Sequence, residues 1–169
     1  SPAAFRAPLF QDLVSGLDAT RRHVILDLGA ASTEMLALLG QSPCRVEIVD
    51  LAQSGGIGQL NAAEPGRALT DAAESVLPKR LADDAVDVVF CWDLPNYLTL
   101  DALAGLMSSI RHRAGPGALA HALIFYADRD MPERPGRFVP TANGELVDHG
   151  DVAAALDTWG GPDEIDLPE

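Results

Sequence analysis

The sequence predicts an α/β domain: a doubly wound, mostly parallel sheet with helices on both faces. Three observations predict it. The run His23-Val24-Ile25-Leu26-Asp27-Leu28-Gly29-Ala30-Ala31-Ser32, followed by Arg45-Val46-Glu47-Ile48-Val49-Asp50, reads as a buried strand, a tight turn, a helix and a second strand ending in a carboxylate. Val86 to Cys91 and Ala118 to Tyr126 are further apolar runs of strand length. Between them Leu100, Leu103, Leu106, Met107 and Ile110 recur at helical spacing. Strands that alternate with helices imply parallel pairing through right-handed crossovers.

The elements follow in order. Phe10, Leu13, Val14 and Leu17 share one face of a short helix; Pro8 suits its first turn and Gly16 weakens its last. Val24 to Leu28 is apolar but for Asp27, as in a central parallel strand covered on both faces. Ser32 or Thr33 caps the next helix, whose apolar positions are Met35, Leu36, Leu38 and Leu39, and Gly40 stops it. Val46 to Val49 is the second strand. Gly55-Gly56-Ile57-Gly58 makes Leu51 to Pro65 a loop or one short helix. Arg67 to Asp71 fits a short strand, and Ala68 to Val76 fits a helix equally well. After Val86 to Cys91, Thr99 caps a helix, Gly115-Pro116-Gly117 is a turn, and Ala118 to Tyr126 is another buried strand. Phe138-Val139 and Glu145-Leu146-Val147 flank Asn143-Gly144, a hairpin signal. Ala153 to Trp159 reads as a short helix closed by Gly160-Gly161-Pro162. Residues 1–128 thus form the α/β domain, and 129–169 an acidic extension with proline and glycine, packed on it or trailing from it.

A chain of 169 residues, 47% of them hydrophobic, is ample for one core. Its net charge of −13 argues against sequence-independent nucleic-acid binding, which needs Lys and Arg. No apolar run approaches the ~20 residues of a membrane span, and no basic segment precedes an apolar stretch near the start. The two cysteines, Cys44 and Cys91, give no disulfide framework. They read as small core hydrophobes in a reducing, cytoplasmic setting. Beyond Arg137 there is no Lys or Arg, while Glu145, Asp148, Asp151, Asp157, Asp163, Glu164, Asp166 and Glu169 follow. That segment is either a solvated tail or a surface for a basic protein partner.

The turn after the first long strand decides the ligand class. A dinucleotide fingerprint needs Gly-x-Gly-x-x-Gly there; this chain has Gly29-Ala30-Ala31-Ser32-Thr33-Glu34. Asp27 stands two residues before Gly29 and would repel a pyrophosphate. It would attract an ammonium or sulfonium group, which points to S-adenosylmethionine and makes an NAD-dependent oxidoreductase the disfavoured reading.

Ile25-Leu26-Asp27-Leu28-Gly29 resembles the first motif of class I S-adenosylmethionine-dependent methyltransferases. Asp50 matches the acidic residue that ends their second strand, and Val86 to Asp93 resembles their fourth strand. Gly115-Pro116-Gly117 is similar to the turn before their fifth strand, and Asp71-Ala72 to the pair that flanks adenine after their third. The resemblance covers roughly residues 21–127. It implies that Asp27, Gly29 and Ala30 face the methionine moiety, that Asp50 binds the ribose with Leu51 beside it, and that Asp71 and Ala72 lie near adenine. It also implies that Trp92 and Asp93 stand where cofactor and acceptor meet. Two departures stand out. Ala31 adds a Cβ where the family has a further glycine. No convincing apolar pair after Tyr126 supplies the antiparallel sixth and seventh strands. Either the hairpin at Asn143 replaces them or the natural chain continues, and an uncovered fifth strand is a route to a homodimer.

Each site residue also has a structural reading: Asp27 as a helix cap, Asp50 as a turn residue, Trp92 and Tyr97 as packing aromatics. His23, His112, His121 and His149 lack metal-ligand spacing, and no serine–histidine or cysteine–histidine set is placed for covalent catalysis. The expected activity is methyl transfer from S-adenosylmethionine to a small-molecule acceptor. The alternative is a non-catalytic methyltransferase-like scaffold, or partner subunit, engaged through the fifth-strand edge or the acidic tail.

Overall fold

The computed structural model describes residues 4–79, 85–125 and 131–149. In chain order the elements are β1 (Ala4–Phe5), α1 (Pro8–Ser15), β2 (His23–Asp27), α2 (Thr33–Leu39), β3 (Cys44–Ile48), α3 (Gly56–Ala62) and α4 (Arg67–Val76). There follow β4 (Val86–Trp92), a 3₁₀ turn (Leu94–Tyr97), α5 (Leu100–Arg111), β5 (Ala114–Ala122), β6 (Phe138–Pro140) and β7 (Leu146–Asp148). Four strands form a parallel sheet in the order β3-β2-β4-β5, with helices on both faces. Three form a separate antiparallel sheet in the order β1-β7-β6.

The alternation of side chains along β2 and β4 builds two cores. Val24, Leu26, Val89 and Cys91 face α3, α4 and α5 through Leu60, Leu69, Ala73, Leu106 and Ile110. Ile25, Val88, Phe90 and Trp92 face the opposite way, onto Phe10 of α1, Met35 and Leu39 of α2, and Leu146 of β7. Local capping agrees with the pattern. The Ser32 hydroxyl accepts from Met35 N–H at 3.0 Å and starts α2. Thr99 does the same for α5 through Ala102 N–H at 3.1 Å.

Two open alternatives are decided and the expectations for β5 are corrected. Residues 67–76 take the helical alternative, and among the described residues no strand lies between β3 and β4; Leu69, Ala72 and Ala73 supply the buried stripe that decides it. Gly56 to Ala62 is the short helix, entered at Gly55 with φ +79°. The Gly115-Pro116-Gly117 signal is not a turn before β5 but an irregularity within it. Val86 pairs with Ala114 and Val88 with Leu119, so the glycines absorb the extra residues, Gly117 at φ +77°. Nor, among the described residues, is β5 a buried strand: Leu119 is 58% exposed, while His121 points inward.

The hairpin at Asn143-Gly144 is present. Val139 pairs with Val147 and Pro140 with Leu146, around Gly144 at φ +78°. It extends the parallel sheet at neither edge; β7 pairs with β1 instead, Phe5 against Leu146. Pro140 sits on the outer strand of that sheet, where a missing N–H is tolerated. β6 and β7 thus form an antiparallel pair apart from the parallel sheet, and Leu146 anchors it in the core with no exposure. The Ala153–Trp159 helix, Tyr126 and the acidic residues from Asp151 onward lie outside the described residues.

Candidate functional site

The strand order changes direction between β2 and β4, and the carboxyl ends of these two strands meet there. In open α/β sheets this crevice is where ligands bind. Asp27 ends β2 and is fully buried. One of its oxygens accepts from Gly29 N–H at 2.9 Å and from the Trp92 indole N–H at 2.7 Å. Burial pushes its carboxyl pKa up; the two donors offset part of that, and nearby Asp50 adds to the rise. Asp27 is thus not the cap of α2, a role Ser32 fills; it closes the turn at Gly29.

Trp92, the last residue of β4, holds a left-handed backbone at φ +53°, a conformation that costs a bulky residue about 1–3 kcal/mol unless its surroundings impose it. The surroundings do. The Trp92 ring stacks on Phe138 at 5.9 Å with planes 8° apart, and on Phe90 at 5.8 Å. Its edge lies against Gly29, where a Cβ would come within 2.6 Å of Trp92 Cδ1. The glycine of the predicted cofactor motif is required by this tryptophan.

Asp50 follows β3 at φ +47°. Its N–H donates to the Gly29 carbonyl at 3.1 Å, which seats it beside the β2 turn. Its side chain is half-buried, with Gln53 N–H at 3.4 Å. Leu51 turns into the core, with no exposure. Asp93 follows Trp92 and is 1% exposed. Asp93 Oδ2 accepts from Gly136 N–H at 2.7 Å, while its Oδ1 is buried with no partner among the described residues. Burial, with a smaller push from Asp148, raises its pKa to about 6.

The 3₁₀ turn fastens the segment that returns over this end of the sheet. Tyr97 Oη lies 2.8 Å from the carbonyl oxygens of both Pro132 and Arg134. Asn96 donates to the Leu123 carbonyl at 2.7 Å and accepts from Phe125 N–H at 3.0 Å. Burial raises the Tyr97 hydroxyl to about 12, so it stays protonated and donating. The result is a cleft of about 300 Å³ between the β2–α2 turn and the hairpin. Gly29, Ala30, Ala31, Ser32 and Glu34 line one side; Gly136 to Val139 and His149 line the other, with Trp92 between.

The predicted residues therefore divide. Gly29, Ala30 and Trp92 line the cleft, Asp27 is beneath it, and Asp50 and Asp93 flank it on the ends of neighbouring strands. Asp71 and Ala72 are not brought there. Asp71 is exposed on α4, 4.0 Å from Arg67, and Ala72 is in the core. Cys91 is buried and its thiol is pushed up to about 11, so it is no nucleophile. The sequence reading missed Glu34, Gly136, Arg137, Phe138 and His149. Glu34 lay within the turn sequence after Gly29 but was not weighed; the other four were signalled only by the hairpin, which gives no hint of which sheet end it closes. Among the described residues no group of three or more His, Cys, Asp or Glu could hold a metal, and no helix is long and apolar enough to cross a membrane.

No protein-family model matches the chain, and neither a curated protein nor a solved structure matches it.

Proposed function

We propose that the chain is an S-adenosylmethionine-dependent methyltransferase of the class I type, acting on a small-molecule acceptor. One observation carries the reading: beside the switch point between β2 and β4, the β2 turn is tied to the end of β3 by the Asp50 N–H to Gly29 carbonyl bond. That bond sets the half-buried Asp50 carboxylate beside the glycine turn, where ribose hydroxyls would donate to it. Asp27 and Asp50 make the local potential negative, which favours a sulfonium or ammonium group over a pyrophosphate. The cofactor, when bound, supplies an electrophilic methyl group. The chain's own part is to hold an acceptor in line beside it and keep water out, so catalysis rests on positioning.

The fit is incomplete in one respect. Asp27 Oδ1 already accepts from both Trp92 and Gly29. Trp92 also covers Gly29. That observation favours a second reading, a non-catalytic methyltransferase-like scaffold in which the indole occupies the cofactor's place.

Calorimetric titration separates the two. The first reading expects S-adenosylmethionine to bind and Asp50→Ala to weaken it about tenfold or more, the loss expected for a charge-assisted hydrogen bond. Absence of heat at millimolar cofactor overturns it and leaves the scaffold.

A further inference from the structure

We propose that the cleft beside Trp92 is the acceptor site, and that it selects a small zwitterion of the α-amino-acid class, with the carboxylate on Arg137 and the ammonium on Glu34. The acceptor role rests on the methyltransferase reading; binding of the zwitterion does not.

Glu34 stands in the first turn of α2 and Arg137 directly before β6, and both line the same cleft. Arg21, Arg45, Arg67 and Arg113 each pair with a carboxylate. Arg137 does not, and Glu34 has no side-chain partner among the described residues. Arg6, Arg22 and Arg111, which also have no carboxylate partner among the described residues, do not line this cleft. Two residues of opposite charge thus line one cleft of about 300 Å³ without pairing with each other.

A ligand with an anion at one end and a cation at the other satisfies both. A guanidinium takes a carboxylate in paired hydrogen bonds. The Arg137 carbonyl accepts from His149 N–H at 2.6 Å, which holds the two residues together on the same wall. Phe138, half-buried on that wall and backed by the stacked Trp92 ring, gives an aromatic surface for an apolar side chain. The volume is at the small end for ligand pockets, suited to one amino acid and too small for a dinucleotide. Asp50 flanks the cleft without lining it, so the cleft lies beside the ribose position.

The test is calorimetric titration of the full chain with L-phenylalanine and L-methionine, each also offered as the amide and as the N-acetyl form. Both amino acids are expected to bind. Loss of the carboxylate in the amide, or Arg137→Ala, should each weaken binding about tenfold or more; N-acetylation and Glu34→Gln should each weaken it several-fold. In Arg137→Ala the amide should bind as well as the free acid. Both side chains are exposed, so an unchanged melting temperature shows that the variants fold. Equal affinity for acid and amide, or no binding at millimolar concentration, overturns the proposal. Repeating the titration with saturating S-adenosylmethionine tests the acceptor role: retained binding supports it, and competition overturns it. If the cofactor itself never binds, the methyltransferase reading and the acceptor role fall together, and the zwitterion site is decided by the amino-acid titration alone.

Discussion

Trp92 and Asp27 are joined by a 2.7 Å hydrogen bond from the indole N–H to a buried carboxylate oxygen, linking the ends of two adjacent strands 65 residues apart. The bond explains why an acid can end β2 inside the core. A buried carboxylate without donors is strongly unfavourable, and the indole and Gly29 N–H are the two donors that offset its desolvation.

Trp92→Phe keeps a ring against Phe138 but removes the indole donor. Asp27 would then hold its charge with one donor in place of two. We expect a loss of about 2 kcal/mol in urea unfolding, the usual size for a hydrogen bond to a buried charged group. Asp27→Asn with Trp92→Phe should recover part of that loss, because the double variant no longer buries a carboxylate. A double variant less stable than the sum of the single changes would show that Asp27 is held mainly by other groups.

Gly29→Ala tests the same contact from the other side. The added methyl would come within 2.6 Å of Trp92 Cδ1 and 2.8 Å of Nε1. The indole must shift, and its stack on Phe138 with it. A cost of about 1–3 kcal/mol is expected for such overpacking, together with a changed near-ultraviolet circular dichroism signal. A neutral substitution would mean that the indole moves freely, which would strengthen the cofactor reading of Gly29.

The parts of the fold legible in the sequence were those where one face decides the pattern. β2, β4, α2 and α5, with the Ser32 and Thr99 caps, follow from apolar spacing and cap chemistry alone. The hairpin at Gly144 followed from its turn residues, since positive φ selects glycine locally. Its partner did not: β7 pairs with β1 through a two-residue strand too short to leave a periodic signal. β5 misled because Ala118, Ala120 and Ala122 look like core residues, although Ala120 and Ala122 stand exposed, as does Leu119 on the other face. At the site, the strand-turn pattern drew attention to Gly29 and Asp27, which the structure joins by a 2.9 Å hydrogen bond. Their partner is Trp92, whose contact with them depends on a left-handed backbone that no residue type announces.

Gly136→Ala should be among the more damaging changes in the returning segment. A Cβ there would lie 2.7 and 2.8 Å from the two Asp148 oxygens and 2.8 Å from Phe138 Cε2. Asp148 is held in place by Arg137 N–H at 3.0 Å, so it has little room to yield. We expect a loss of about 1–3 kcal/mol, with faster proteolysis near residues 131–137 as the readout. Unchanged cleavage would show that the Tyr97 contacts suffice to hold this segment.

Asp93 gives a pH dependence of definite sign. Burial raises its folded pKa to about 6, above the ordinary 3.8, with Asp148 and Tyr97 the titratable groups nearby. The native state therefore binds this proton more tightly than the unfolded chain. The stability it contributes is fully present below pH 3.8 and is lost as pH rises through about 6. Asp93→Asn keeps an oxygen for Gly136 N–H and removes the ionisation. The stability of Asp93→Asn relative to the natural chain should thus be about 1 kcal/mol more favourable at pH 8 than at pH 5. His121 bears on the same window with the opposite sign. It packs against Phe10 and Phe90, and burial lowers its pKa, so its neutral form stabilises the fold above pH 6.5 and that stability is lost as pH falls. Because His121 is present in both proteins, it cancels in the difference between them. Urea midpoints for the pair at the two pH values isolate Asp93. An identical difference at pH 5 and pH 8 would mean that the Asp93 carboxyl ionises near its ordinary value, and that a donor reaches its Oδ1.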